Sequence, residues 1–149
     1  KTAAFALPLL SRLKPQFFSA QALVLCPTRE LATQVASEVR RLARYQDNVK
    51  VVTLCGGQSI GPQIGSLEHG AHVVVGTPGR ILDHLRKQTL SLRHINTLVL
   101  DEADRMLEMG FIEAIETIVA QTPPARQSTV TNRLHSIFMS VRKASGCRR

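Results

Sequence analysis

Four short apolar runs constrain this chain more than any other feature: Ala22 to Cys26, Val49 to Leu54, His72 to Gly76, and Thr97 to Leu100. Each is continuous rather than alternating, and rich in Val and Leu. A strand with one wet face alternates apolar and polar residues. A continuous run fits a strand buried on both faces, as in a parallel sheet covered by helices. Between the runs lie helical patterns. Leu31, Val35, Val39 and Leu42 recur at helical spacing from Arg29 to Ala43, with Arg40, Arg41 and Arg44 on other faces. Further helices are predicted over Gly79 to Arg86 and Ile112 to Gln121, and over Ala3 to Leu10, where Pro8 interrupts or bends the helix. Gly56-Gly57 and Gly61-Pro62 read as one loop. Strand and helix alternate, so the fold class is α/β with right-handed crossovers.

The 149 residues suffice for one ordinary domain, and a composition of 44% hydrophobic and 20% charged residues is globular. No apolar run approaches the 18 or so residues of a membrane span. The start, Lys1-Thr2-Ala3-Ala4-Phe5-Ala6-Leu7, lacks both a secretory pattern and an initiator Met, so a cut N-terminus is expected. Cys26, Cys55 and Cys147 are odd in number and show no C-x-x-C spacing, which favours a reducing, cytoplasmic setting over a disulfide framework or a zinc site. The net charge of +8 is uneven: residues 1–127 hold 14 Lys/Arg and 11 Asp/Glu, while 128–149 hold five Lys/Arg and no acid. A basic balance suits nucleic acid, and equally a mildly basic body with a basic tail.

The sharpest motif is Asp101-Glu102-Ala103-Asp104, directly after the run Leu98-Val99-Leu100. Carboxylates at the C-terminal edge of a parallel strand lie where α/β sheets bind ligands. There an Asp can hold Mg²⁺ on a nucleotide and a Glu can position water. Acidic residues in a first helical turn, favoured by the macrodipole, read the same way. The opening Lys1-Thr2 matches the end of a phosphate loop, where Lys reaches phosphates and Thr ligates Mg²⁺, but two residues carry no weight by themselves. Pro27-Thr28-Arg29-Glu30-Leu31-Ala32 and Thr77-Pro78-Gly79-Arg80 each pass from strand to helix. Backbone N–H groups with Arg29 or Arg80 can meet phosphates there, and Thr28 and Thr77 can equally be plain helix caps. Gly56-Gly57 allows close backbone approach or is a turn.

Taken together, in the order K-T, P-T-R-E-L-A, G-G, T-P-G-R, D-E-A-D, each after a strand, these motifs make the chain resemble the DEAD-box ATP-dependent RNA helicase family over residues 1–127. The part resembled is the N-terminal RecA-like domain of the P-loop NTPase kind, a parallel sheet flanked by helices. Val99 to Leu107 and Met109-Gly110-Phe111 extend the likeness. The resemblance implies that ATP and Mg²⁺ bind at the sheet edge and that single-stranded RNA crosses it. Lys1 would bind phosphate, Thr2 and Asp101 the metal, and Glu102 would orient the hydrolytic water. Asp104 would belong to the network linking ATP to RNA. Arg29, Gly57, Thr77 and Arg80 would face the RNA backbone, a contact set that reads phosphate and sugar rather than bases. Bacterial members of this kind act in ribosome assembly. The D-E-A-D, P-T-R-E-L-A and T-P-G-R spellings point to RNA rather than to a related DNA motor.

Three departures qualify the resemblance. The phosphate-loop glycines upstream of Lys1 are absent. After Ala125-Arg126-Gln127 the family's apolar strand ending in S-A-T is replaced by Ser128-Thr129-Val130-Thr131-Asn132, with no strand expected. No second RecA-like domain follows. The expectation is a four-strand sheet, incomplete at both ends, that hydrolyses no ATP, the chain then being a remnant that at most binds RNA weakly. Residues 128–149 read either as a basic amphipathic helix, with Leu134, Ile137, Phe138 and Val141 in one stripe, or as an out-of-frame tail.

Overall fold

The computed structural model describes residues 2–131. Lys1 and the stripe Leu134 to Val141 lie outside the described residues. The elements alternate along the chain as α1 (Thr2–Ser11), β1 (Ala22–Leu25), α2 (Arg29–Ala43), β2 (Val51–Leu54), α3 (Ile60–Glu68), β3 (Val73–Gly76), α4 (Pro78–Arg86), β4 (Thr97–Leu100), α5 (Ala103–Glu108), α6 (Ile112–Ala120) and β5 (Gln127–Val130). All strand pairs are parallel, in the order β2-β3-β1-β4-β5. Central β1 pairs Ala22–Leu25 with Val73–Gly76 on one side and Thr97–Leu100 on the other.

The four apolar runs form strands because both faces of the sheet are covered. Alternate residues of β1 enter different cores: Leu23 and Leu25 pack with Leu54, Val74, Leu98 and with Ile81, Met106 and Ile118 of the helices on one face. Ala22 and Val24 pack with Val73, Val75 and Val99, and with Phe5, Leu9, Val35 and Val39 of α1 and α2 on the other. Each such fully buried Val or Leu side chain stabilises the fold by about 1.5–3 kcal/mol, so a polar residue at either parity is disfavoured. The helix over Arg29–Ala43 starts where expected, with Thr28 Oγ1 accepting Leu31 N–H at 3.2 Å.

Three expectations are corrected. A strand does follow Arg126: Gln127–Val130 pairs with Thr97–Leu100, so the sheet has five strands rather than four. Backbone hydrogen bonding to the free side of β4 and the β-branched Thr129 and Val130 make this strand without an apolar run. Gly61-Pro62 is not loop but the first turn of α3. A proline there gives up an N–H that has no intrahelical partner. Of the two readings of Pro8, interruption is overturned: Pro8 sits inside α1, which runs on to Ser11, whose Oγ–H donates to Pro8 O at 2.7 Å. Among the described residues no helix is long and apolar enough to cross a membrane.

Candidate functional site

With the strands parallel, their C-terminal ends share one edge, and the D-E-A-D, P-T-R-E, G-G and T-P-G-R motifs each lie on the loop leaving one of them. At the end of β4, Asp101 is 5% exposed and its N–H donates to Leu25 O at 2.9 Å. Its carboxylate Oδ1 accepts the Thr131 hydroxyl at 2.5 Å, and that hydroxyl oxygen accepts Glu102 N–H at 3.0 Å. Thr131 N–H donates to Leu100 O at 3.0 Å, and Thr131 O accepts Ala103 N–H at 3.3 Å. The residue after β5 thus clasps the whole turn. Glu102 sits there at φ 50, ψ 52, in the left-handed region. That conformation costs a residue with a Cβ about 1 kcal/mol, and the bond from its N–H to Thr131 helps to hold it.

The Glu102 carboxylate accepts from Arg105 Nη1 at 3.4 Å. Asp104 Oδ1 is buried and has no hydrogen-bond partner among the described residues. The neighbouring Cys26 thiol is pushed up by burial and then by the charge of Asp101, so it stays protonated and inert as a nucleophile. Among the described residues no three His, Cys, Asp or Glu could hold a metal by themselves. Mg²⁺ carried on a nucleotide needs only one or two carboxylates beside phosphate oxygens and waters. Asp101, at the end of β4, is a carboxylate of that kind, so it fits the ion. Thr2 opens α1 and makes no side-chain hydrogen bond to this group. Lys1 lies outside the described residues.

The second group surrounds the ends of β1, β3 and β2. Gly57 adopts φ +75, and a Cβ on it would stand 3.4 Å from Arg29 Nη1, so the glycine loop and Arg29 are in contact. Gly56 N–H donates to Thr77 Oγ1 at 3.3 Å. Arg80 Nη2 donates to Gln58 O at 2.9 Å and Nη1 to Gln63 Oε1 at 3.1 Å, while Nε lies 3.6 Å from Asp83 Oδ2. The four residues expected to face RNA are therefore brought together. The Arg29 side chain is half-exposed; that of Arg80 is 12% exposed and braces the loop.

Behind Arg80 lie groups that sequence reasoning missed. Gln63 Nε2 donates to Cys55 O at 3.0 Å, which leaves Oε1 to accept both Arg80 and, at 2.9 Å, His84 Nε2. His84 Nδ1 then accepts the Thr89 hydroxyl at 2.8 Å. His84 is fully buried; burial and, after it, the charge of Arg80 hold its imidazole below the ordinary value, so it stays neutral at pH 7. The available signal was a polar residue on an apolar stripe: Gln63 follows Ile60 and precedes Leu67 at helical spacing, and His84 follows Ile81. For Thr131 it was the β-branched pair Thr129-Val130 just before it.

Residues 1–140 match the family described as DEAD/DEAH box helicase. The chain is 59% identical over 128 residues to the ATP-dependent RNA helicase DbpA of Escherichia coli strain K12, covering 86% of this chain and 28% of that protein. It is 53% identical over 130 residues to the ATP-dependent RNA helicase DeaD of the same strain, covering 87% and 21%. The crystal structure of a DEAD box protein from the hyperthermophile Methanococcus jannaschii superposes with TM-score 0.88 at 40% identity, over 97% of this chain and 40% of that one. The chain thus spans less than a third of the curated relatives cited here.

Proposed function

This chain belongs to the DEAD/DEAH box helicase family and has its RecA-like fold, and on that premise we propose that it is the ATP- and RNA-contacting part of a cytoplasmic ATP-dependent RNA helicase. Its target class would be ribosomal RNA, as part of ribosome assembly. The observation that carries the reading is the shared edge. Central β1 lies between β3, which leads to Thr77 and Arg80, and β4, which leads to Asp101 and Glu102. The two groups are joined through β1: Asp101 N–H donates to Leu25 O, and Cys26 N–H to Gly76 O.

Asp101 would hold Mg²⁺ through water, with Lys1 and Thr2 on the phosphates and the metal. When bound, the ion neutralises charge on the phosphate oxygens. Glu102, fixed by the Thr131 clasp, orients the water that attacks and takes up its proton. Asp104 belongs to the link between the two groups. Arg29 and the loop N–H of Gly57 meet RNA phosphates, with the Thr77 hydroxyl. Arg80, anchored on Gln58 and Gln63, keeps further N–H donors for the same backbone. In a full-length helicase that carries these residues, Glu102→Gln should lower RNA-stimulated phosphate release about a hundredfold or more while RNA binding is kept. Undiminished release would remove Glu102 from the hydrolytic role.

A further inference from the structure

The opposite edge of the sheet carries features that this reading does not use. The loops leading into β1, β2, β3 and β4 (residues 12–21, 44–50, 69–72 and 87–96) meet there, because the strands run the same way. They hold Arg12, Lys14, Arg44, Lys50, Lys87 and Arg93 against a single acid, Asp47. Cations complement helix C-termini, which accounts for Arg12, Arg44 and Lys87 directly after α1, α2 and α4. It does not account for Lys14, Lys50 and Arg93, which stand further along the loops.

The same loops expose rings. Phe17, Phe18 and Tyr45 are 44%, 57% and 93% exposed. Large rings left in water on neighbouring loops mark a binding surface. Phe17 meets His94 edge-on with ring centroids 4.9 Å apart, and Phe18 lies against His72 at 4.9 Å. Phe18 also covers Gly70, where a Cβ would come within 3.1 Å of the Phe18 Cβ.

This platform is fastened from beneath. Gln21 Oε1 accepts Lys14 N–H at 2.8 Å, and Gln21 Nε2 donates to Lys14 O at 3.0 Å and Phe17 O at 2.7 Å. Buried His72 accepts Lys50 N–H on Nδ1 at 2.9 Å, so its Nε2–H donates to Pro15 O at 2.8 Å and three loops are tied together. Beside Phe18 opens a cleft of about 560 Å³ whose lining includes Gln16, Asp47 and Asn48.

We infer that this edge is a second contact surface for single-stranded RNA, with bases stacked on Phe17, Phe18 and Tyr45 and phosphates along Lys14, Lys50 and Arg93. Aromatic rings interleaved with cations are how sequence-tolerant strand binding is built, since every base has a stacking face and every link a negative charge. Gln16, Asp47 and Asn48 offer donors and acceptors to a base edge in the cleft. The surface lies across the sheet from Arg29 and Arg80, so it stands or falls apart from the site proposed above.

The test is photo-cross-linking of a 4-thiouridine RNA of about ten nucleotides to the 149-residue chain, with peptide mapping of the adducts. Adducts are expected within residues 12–18 or 44–50, and should persist in the Arg29→Ala/Arg80→Ala double variant. They should fall at least fivefold in Phe18→Ala. Because Phe18 also packs on Gly70, the Lys14→Glu/Arg93→Glu pair, both exposed side chains, should show the same loss. Adducts at this edge without any near Arg29 would uphold this inference and overturn the earlier reading. The inference is overturned if adducts are confined to the Arg29 edge, or if the Lys14→Glu/Arg93→Glu pair cross-links like the wild type. Sedimentation with phosphatidylserine vesicles in place of RNA adducts would also overturn it.

Discussion

At the β4 end of the functional edge, the Asp101 carboxylate and the Glu102 N–H share one partner, the Thr131 hydroxyl, which reaches across from the end of β5. At the β3 end, Arg80 is held by Gln58, Gln63 and Asp83, and Gln63 is itself fixed by His84 and Cys55. The first arrangement follows whatever moves a single strand end. The second is cross-braced from α3, α4 and the glycine loop and has no single point of release. On the function proposed above, a hydrolytic turn that responds to a ligand and a phosphate-contact surface ready in advance would call for these two kinds of support.

The comparison can be broken most severely behind the braced end. Gly76 is the last residue of β3, and a Cβ there would run into the backbone oxygen of Leu54 and lie 2.9 Å from Ile81 Cδ1. Gly76→Ala is expected to destabilise the chain by about 3 kcal/mol, read as a lower urea midpoint, because backbone cannot yield as a side chain does. A midpoint within error of the wild type would mean that β2 and β3 are free to separate.

Next in size is Gln63→Leu. It leaves the buried His84 Nε2–H and an Arg80 N–H without an acceptor, for an expected loss of about 2 kcal/mol. RNA affinity should fall with it, since the Gln58 loop loses part of its brace. Thr131→Val removes the hydroxyl from both Asp101 and Glu102 at almost constant shape. The expected loss is about 1.5 kcal/mol in urea, with RNA affinity unchanged. If Thr131→Val weakens RNA binding as much as Gln63→Leu does, the two ends are not separately supported.

The smallest effect is in pH. Because the folded His84 imidazole titrates below its ordinary 6.5, the unfolded chain binds the extra proton first as pH falls. Stability should therefore be flat above about pH 7, decline as pH drops through 6.5, and level off below the folded value. Urea midpoints of His84→Gln should lack that part of the decline; an unchanged slope would assign the decline to other groups.

Much of this edge was legible from residues alone, for a physical reason. Strands β1 to β4 bury both parities, so their apolar runs announce them, and the loop after each then has a known place. The placement of Asp101, Glu102, Arg29, Gly57, Thr77 and Arg80 at the strand ends was readable on that basis; the roles expected of them came from the resemblance. Strand β5 was not, because Gln127-Ser128-Thr129-Val130 owes its pairing to the open side of β4 rather than to its own hydrophobicity. Helix α3 was not, because Gly61-Pro62 is loop chemistry unless it falls in a first turn. Gln63, His84 and Thr131 act only through contacts distant in sequence, so each read as an ordinary polar residue.

The most direct test of the account is the affinity of the 149-residue chain for a labelled single-stranded RNA, measured by fluorescence anisotropy for Arg29→Ala and Glu102→Gln side by side. The account predicts that Arg29→Ala weakens binding about tenfold, the scale of one phosphate contact, and that Glu102→Gln leaves it within about twofold. Equal affinity for Arg29→Ala and the wild type, or a loss in Glu102→Gln as large as in Arg29→Ala, would contradict the division of the edge into an RNA-contacting end and a hydrolytic end.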